Sequence, residues 1–238
     1  MSFKKKLIVT SGATLGVILV AGFAAWWFLL RSDAPPPVDL GEAVAAATST
    51  TVPGAPAESS SPDGVEGPWS ISPGSFAGYR VQEELVRVGF TTAAGRTEDV
   101  TGSLTIEGGE VTEVEVEVDV TTLTSDSSRR DRSLRDQALE TDLFPTASFV
   151  LVEPVTLPAE AESGDPFAIP AVGDLTIHGV TNRVTIDLEA QLVGDVIIVV
   201  GSTPIVFADY DVATPSALAV LSIEDNGIME FQLTFARG

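Results

Sequence analysis

Between residues 113 and 120 the chain alternates strictly: Val114, Val116, Val118 and Val120 fall on one side, Glu113, Glu115, Glu117 and Asp119 on the other. A period of two is the pattern of a strand with one dry face and one wet face. Gly108-Gly109 supplies a tight turn back onto a strand over 103–107. Comparable runs over 76–85, 147–152, 173–178, 182–192, 196–207 and 228–236 bring the total to about eight strands. Gly194-Asp195 and Asn226-Gly227 read as hairpin turns, and 154–170, dominated by prolines and acids, as a surface excursion. The predicted fold class is all-β with one short helix, an extended antiparallel eight-stranded β-barrel. Eight strands leave an interior that either is filled by side chains or holds one small elongated ligand.

The one convincing helical pattern in this region lies between 127 and 144. Ser128 followed by Asp131 resembles a capping box, Leu134 with Ala138 and Leu139 marks an apolar face, and Pro145 forbids continuation past Phe144. Arg129, Arg130, Arg132 and Arg135 make this a basic island. The pairs Asp126–Arg130, Asp131–Arg135 and Arg132–Asp136 are spaced four apart, which suits local pairing on a helix surface. The alternative is an anion-attracting rim at a cavity mouth, with Arg132 and Arg135 as its residues.

Upstream the pattern changes twice. Residues 7–30 carry no charge and follow Lys4-Lys5-Lys6, which predicts a transmembrane anchor with its N-terminus in the cytoplasm and the rest of the chain outside. A cleaved signal peptide is the competing reading, but the run is long for one and ends in Trp26-Trp27-Phe28, an interfacial anchor. Residues 32–66, rich in Pro, Ala, Ser and Thr, are expected to be a disordered tether. The predicted organisation is therefore a basic start and anchor over 1–31, the tether over 32–66, and a barrel domain over 67–238.

Charge and composition narrow the function. The formal net charge of −21 excludes nucleic-acid binding, and no lysine follows Lys6. There is no cysteine, which removes disulfides, thiolate metal sites and a cysteine nucleophile. The single histidine, His178, has no second histidine to complete a metal site and is read as a turn residue bonded to backbone. Carboxylate pairs are numerous, as an acidic domain must make them, and no phosphate loop or nucleophile elbow occurs. No metal, no cofactor and no enzymatic activity are expected.

Three stretches together carry a resemblance. They are Trp69, Pro73 and Tyr79; then Arg130-Asp131, Leu134-Arg135 and Phe144-Pro145-Thr146-Ala147-Ser148-Phe149; then Gly173-Asp174-Leu175-Thr176-Ile177-His178-Gly179-Val180-Thr181. In this order they resemble the YceI-like family over 67–238. The chain departs from the family pattern at Ser133, where histidine is frequent, and over 207–210. The resemblance implies a lipocalin-like barrel that encloses a polyisoprenoid lipid or isoprenoid quinone, with no catalytic activity firmly attached.

Tyr79, Val81, Phe144, Phe149, Leu175 and Phe207 are the candidate cavity residues. The same six serve equally as the core of a filled barrel on pattern alone, and the resemblance favours the cavity. The expected function is that of a membrane-anchored extracytoplasmic protein that sequesters or carries a polyisoprenoid. A filled-barrel interaction or stress-related module is the alternative, and a lipid- or glycan-acting hydrolase the third reading. A possible homodimer stays open.

Overall fold

The computed structural model describes residues 34–49, 64–86, 89–214 and 220–237. The predicted transmembrane run 7–30 lies outside the described residues; among those described, no helix is long and apolar enough to cross a membrane.

Eight antiparallel strands follow one another in a meander that closes on itself. Strand β1 has two halves, β1a (Gly67–Ile71) and β1b (Phe76–Leu85), and β2 likewise has β2a (Gly89–Thr97) and β2b (Val100–Glu107). They are followed by β3 (Glu110–Asp119), β4 (Thr146–Leu151), β5 (Phe167–Ile177), β6 (Val180–Val193), β7 (Val196–Val206) and β8 (Asn226–Ala236). Each pairs with the next, and β8 pairs with both halves of β1, which closes the ring; on its far side β2a is met, among the described residues, only by the short strand Thr124–Ser125.

Local sequence explains the turns. Gly108 and Gly109 both take positive φ, 64° and 78°, as the two-residue turn between β2 and β3 demands. Gly194 does the same between β6 and β7. Asn226 and Gly227 do not form a turn: they pair with Val206 and Ile205 inside the ladder, and the chain reverses before them. The excursion begins where expected but ends early, since Phe167–Pro170 are already part of β5 opposite Asp187–Ala190. Its residues 155–156 add a short pairing to β3, and Ala161 in the short helix Glu160–Ser163 is buried.

Trp69 closes one end of the barrel. It is 1% exposed, its indole N–H donates to Val65 O at 2.9 Å, and it packs among Leu104, Ile106, Val116 and Phe235. The Arg237 guanidinium covers its ring at 4.6 Å.

The N-terminal stretch corrects the tether reading in part. Residues Leu40–Ser49 form helix α1, whose first turn is capped by Asp39 accepting from Glu42 N at 2.9 Å. Leu40 and Ala43 are buried on the outer wall against Ile198 and Val200. Before the helix, the carbonyls of Pro35 and Pro36 accept from Arg80 and Arg96, the latter at 2.7 Å. Both arginines also grip Glu230, at 2.7 and 2.8 Å, and its side chain is 1% exposed. A stretch poor in large apolar residues is ordered here because it needs to supply only two small contacts and two carbonyls to a ready-made surface.

A chain beginning at Gly64 uncovers Ile198, Val200 and the Glu230 cluster. From the burial of one leucine and two charge-assisted hydrogen bonds, the expected loss is about 2–4 kcal/mol. Urea unfolding against a chain beginning at Ala34 measures it; equal midpoints would show that the strap contributes nothing.

Candidate functional site

The barrel is hollow because its inward-facing aromatic rings lie against its wall. Tyr79 on β1b sits opposite Gly95 on β2a, so close that a Cβ at Gly95 would come within 2.6 Å of the ring. A Cβ at Gly173 would stand 2.2 Å from the Phe149 ring, and one at Gly201 would stand 2.6 Å from Phe231. All three distances are below any real contact, so the rings occupy the space that missing side chains vacate. The wall is thinned further by small inward residues such as Ala77, Ala93, Ala147 and Ala171.

Two cavities result, one toward each end of the barrel. The smaller, about 160 Å³, lies on the Trp69 side and is lined almost wholly by hydrocarbon, including Val114, Val116, Leu175, Ile186, Phe149 and Phe231. The larger, about 430 Å³, is lined by Tyr79, Val81, Leu134, Leu139 and Phe207 among others, with Glu83 and Arg130 as its charged pair. Its size falls in the roughly 300–1,000 Å³ range of small-molecule sites. The two share Ala77, Val118, Ala147 and Met229 as walls, a waist halfway along the barrel.

Of the six expected cavity residues, the structure places Phe149 and Leu175 at the smaller cavity and Tyr79, Val81 and Phe207 at the larger. Phe144 lines neither. It packs at 4.4 Å, edge to face, on His178, in the tight turn joining β5 to β6. That turn takes φ of 52° at His178 and 76° at Gly179, and a Cβ at Gly179 would strike the Phe144 ring at 2.6 Å. Phe144 thus latches the long β3–β4 connection onto the β5–β6 turn. His178 Nδ1 lies 3.3 Å from Tyr210 O, in keeping with a turn residue bonded to backbone, and Nε2 lies 3.1 Å from Glu140 Oε2.

The long connection closes over the larger cavity. Helix α2 (Ser128–Ser133) runs into a π-helical turn, Leu134–Ala138. The cap is Ser127 and not Ser128: its hydroxyl accepts from Arg130 N, while the buried Asp131 turns back to accept from Ser125 N at 2.9 Å and Ser125 Oγ at 2.6 Å. Asp131 is therefore not available to Arg135. Among the described residues no ion pair joins Asp131 to Arg135 or Arg132 to Asp136; only Asp126–Arg130 forms. Arg132 and Arg135 do not line the cavity, whereas Arg129 and Arg130 do.

Arg130 is the inward cation. Its Nη2 donates to Glu83 Oε1 at 2.7 Å and its Nη1 to Asp126. Burial works against its charge, but the Glu83 and Asp126 carboxylates more than compensate and raise its pKa. Beside it the Tyr79 hydroxyl is buried and makes no hydrogen bond among the described residues. Burial pushes its pKa up to about 12, with the Arg130 charge and the neighbouring Ser125 hydroxyl pulling weakly the other way. Glu83 carried no sequence signal except its phase: it shares the inward face of β1b with Tyr79 and Val81.

Comparison with known proteins follows the same outline. The model of the YceI-like domain matches residues 69–235. A UPF0312 protein of Shewanella denitrificans is 34% identical over 118 residues, which are 48% of this chain and 57% of that protein. Protein YceI of Shigella flexneri is 31% identical over 123 residues, 50% of this chain and 57% of its own length. The chain thus spans just over half the length of these curated relatives. Among solved structures, a polyisoprenoid binding domain from Saccharophagus degradans, implicated in plant cell wall breakdown, aligns with a TM-score of 0.56 at 18% identity. It covers 73% of this chain and 99% of that one. Campylobacter jejuni YCEI protein aligns at 0.51 and 17% identity, over 60% of this chain and 84% of that one. At these identities the alignments show a shared fold.

Tyr79 gives a direct test of burial. A raised phenol pKa means that the folded state favours the neutral form, so the associated stability is intact below pH 10 and drains away between about pH 10 and 12. In a Tyr210→Phe variant, which leaves Tyr79 as the sole tyrosine, the tyrosinate absorbance should rise near pH 12 in the folded protein and near 10 in denaturant. A folded-state transition at 10 would place Tyr79 in solvent.

Proposed function

The chain belongs to the YceI-like domain family, and on that footing we propose that it is a binding protein that holds a polyisoprenoid lipid along the barrel. The observation that carries this reading is the pair of cavities meeting at Ala77, Val118, Ala147 and Met229. One end is hydrocarbon throughout, and the other adds a charged pair, which suits a ligand with a long apolar tail and a compact polar head. The binding of polyisoprenoid by the Saccharophagus degradans domain supports the same class of ligand.

Energetics favour an occupant. At about 24 cal/mol per Å³, leaving the hydrocarbon-lined 160 Å³ cavity unfilled costs about 4 kcal/mol. That is a large part of the net stability of a domain, about 5–15 kcal/mol. A tail that restores the missing contacts stabilises the fold as it binds. The two cavities favour this reading over a barrel filled by its own side chains.

The apolar run 7–30 and the lysines before it support a membrane-anchored protein with its barrel on the extracytoplasmic side. Carriage without catalysis is the role proposed.

One experiment addresses ligand and location together. Cells producing the full chain with a tag after Gly238 are treated with protease from outside, and protected and cleaved material is compared. The chain from their membranes is then analysed by native mass spectrometry and organic extraction. The expected result is a membrane-bound chain with an accessible tag and a bound prenyl lipid near one per barrel. A lipid-free protein that takes up no added prenyl lipid would overturn the binding role, and a protected tag would overturn the location.

A further inference from the structure

The larger cavity holds a carboxylate where a hydrocarbon-binding barrel needs none. Glu83 is buried, sits on the inward face of β1b and lines the cavity. Only one of its oxygens is engaged: Oε1 accepts from Arg130, whereas Oε2 has no hydrogen-bond partner among the described residues. Among the described residues the fully buried side-chain atoms without a partner are the Tyr79 hydroxyl and Arg237 Nε, so Glu83 Oε2, unpaired but not fully buried, is within reach of a molecule in the cavity.

The surrounding charges do not favour an anion. Arg130 is shared between Glu83 and Asp126. Asp131 is buried in the same connection, and the exposed Arg129 also lines the cavity. These five groups, Glu83, Asp126, Asp131, Arg129 and Arg130, carry three negative charges against two positive. A diphosphate brought beside Glu83 would add negative charge to a site already negative and would compete with the Glu83 and Asp126 carboxylates for the Arg130 guanidinium.

We propose that the larger cavity selects a neutral prenyl lipid whose head group carries a hydroxyl, donated to Glu83 Oε2, and rejects prenyl diphosphates. The inference rests on the polyisoprenoid reading above and narrows it. Prenyl alcohols and reduced prenyl quinols share the required O–H, whereas ethers and oxidised quinones lack it. Hydrogen bonds to charged acceptors are the strong ones, and a site built to pair with an O–H discriminates sharply against the analogue without it.

The test uses the full chain and four probes with the same four-isoprene tail: geranylgeraniol, its methyl ether, geranylgeranyl diphosphate, and the corresponding naphthoquinol kept reduced under anaerobic conditions. Binding is read by tryptophan fluorescence and native mass spectrometry. The alcohol, the quinol or both should bind about tenfold or more tightly than the ether, with the diphosphate weakest, and which of the two donors binds better identifies the source of the hydroxyl. Glu83→Gln, which keeps shape and removes the charge, should shrink the alcohol-to-ether ratio and strengthen diphosphate binding. Equal affinity for alcohol and ether, or a diphosphate that binds as well as the alcohol, overturns the head-group assignment while leaving the tail reading standing. Binding of none of the four overturns both. If Glu83→Gln fails to fold, the wild-type ranking of the four probes decides alone.

Discussion

Aromatic rings laid against glycines are what the rest of this barrel depends on. An eight-stranded barrel is narrow enough for ordinary side chains to fill it. Here Gly95, Gly173 and Gly201 let the rings of Tyr79, Phe149 and Phe231 lie in the wall, where any Cβ would displace them. The lumen is open as a result. Trp69 and its neighbours close one end, and the connection through α2 bounds the other, where the Glu83–Arg130 pair sets the polarity of the larger cavity.

The two buried glutamates divide the charge work between the faces of the wall. Glu230 points outward and is fully neutralised by Arg80 and Arg96, whose remaining donors reach Pro35 and Pro36 and so hold the N-terminal strap. Glu83 points inward and is paired at one oxygen only. The first arrangement is structural, with each carboxylate oxygen satisfied. The second leaves binding capacity facing a cavity, and that asymmetry is what gives the barrel a chemically distinct end.

Much of the wall was legible from period alone. The valine and glutamate alternation of 113–120 puts Val114, Val116 and Val118 in the lumen and their neighbours outside, and the strand predicted over 76–85 coincides with β1b. What failed to show was anything that depends on a partner distant in sequence. Phe144 looks like a cavity aromatic until Gly179 is seen to make room for it outside the lumen. The strand half 89–97, rich in Gly, Ala and Thr, lacks apolar alternation because its inward face is small by design of the cavity. Helix α1 was hidden by composition, yet β7 carried its trace: Ile197, Ile198, Val199 and Val200 are apolar on both faces, which implies a cover on the outside as well as the inside. The arginine island was visible, but only the fold could show that Arg130 turns inward while Arg132 and Arg135 do not line the cavity.

The hollow lumen itself is most directly tested by the volume change of unfolding under pressure, which scales with the void eliminated when the chain opens. The hydrocarbon-lined cavity of about 160 Å³ stays dry, so its volume contributes to that change. For the lipid-free chain the account predicts a volume decrease at or beyond the upper end of the usual range of roughly 20–100 mL/mol, falling markedly once geranylgeraniol occupies the barrel. A mid-range value that does not change with added lipid would mean that the barrel is packed and the central claim is wrong.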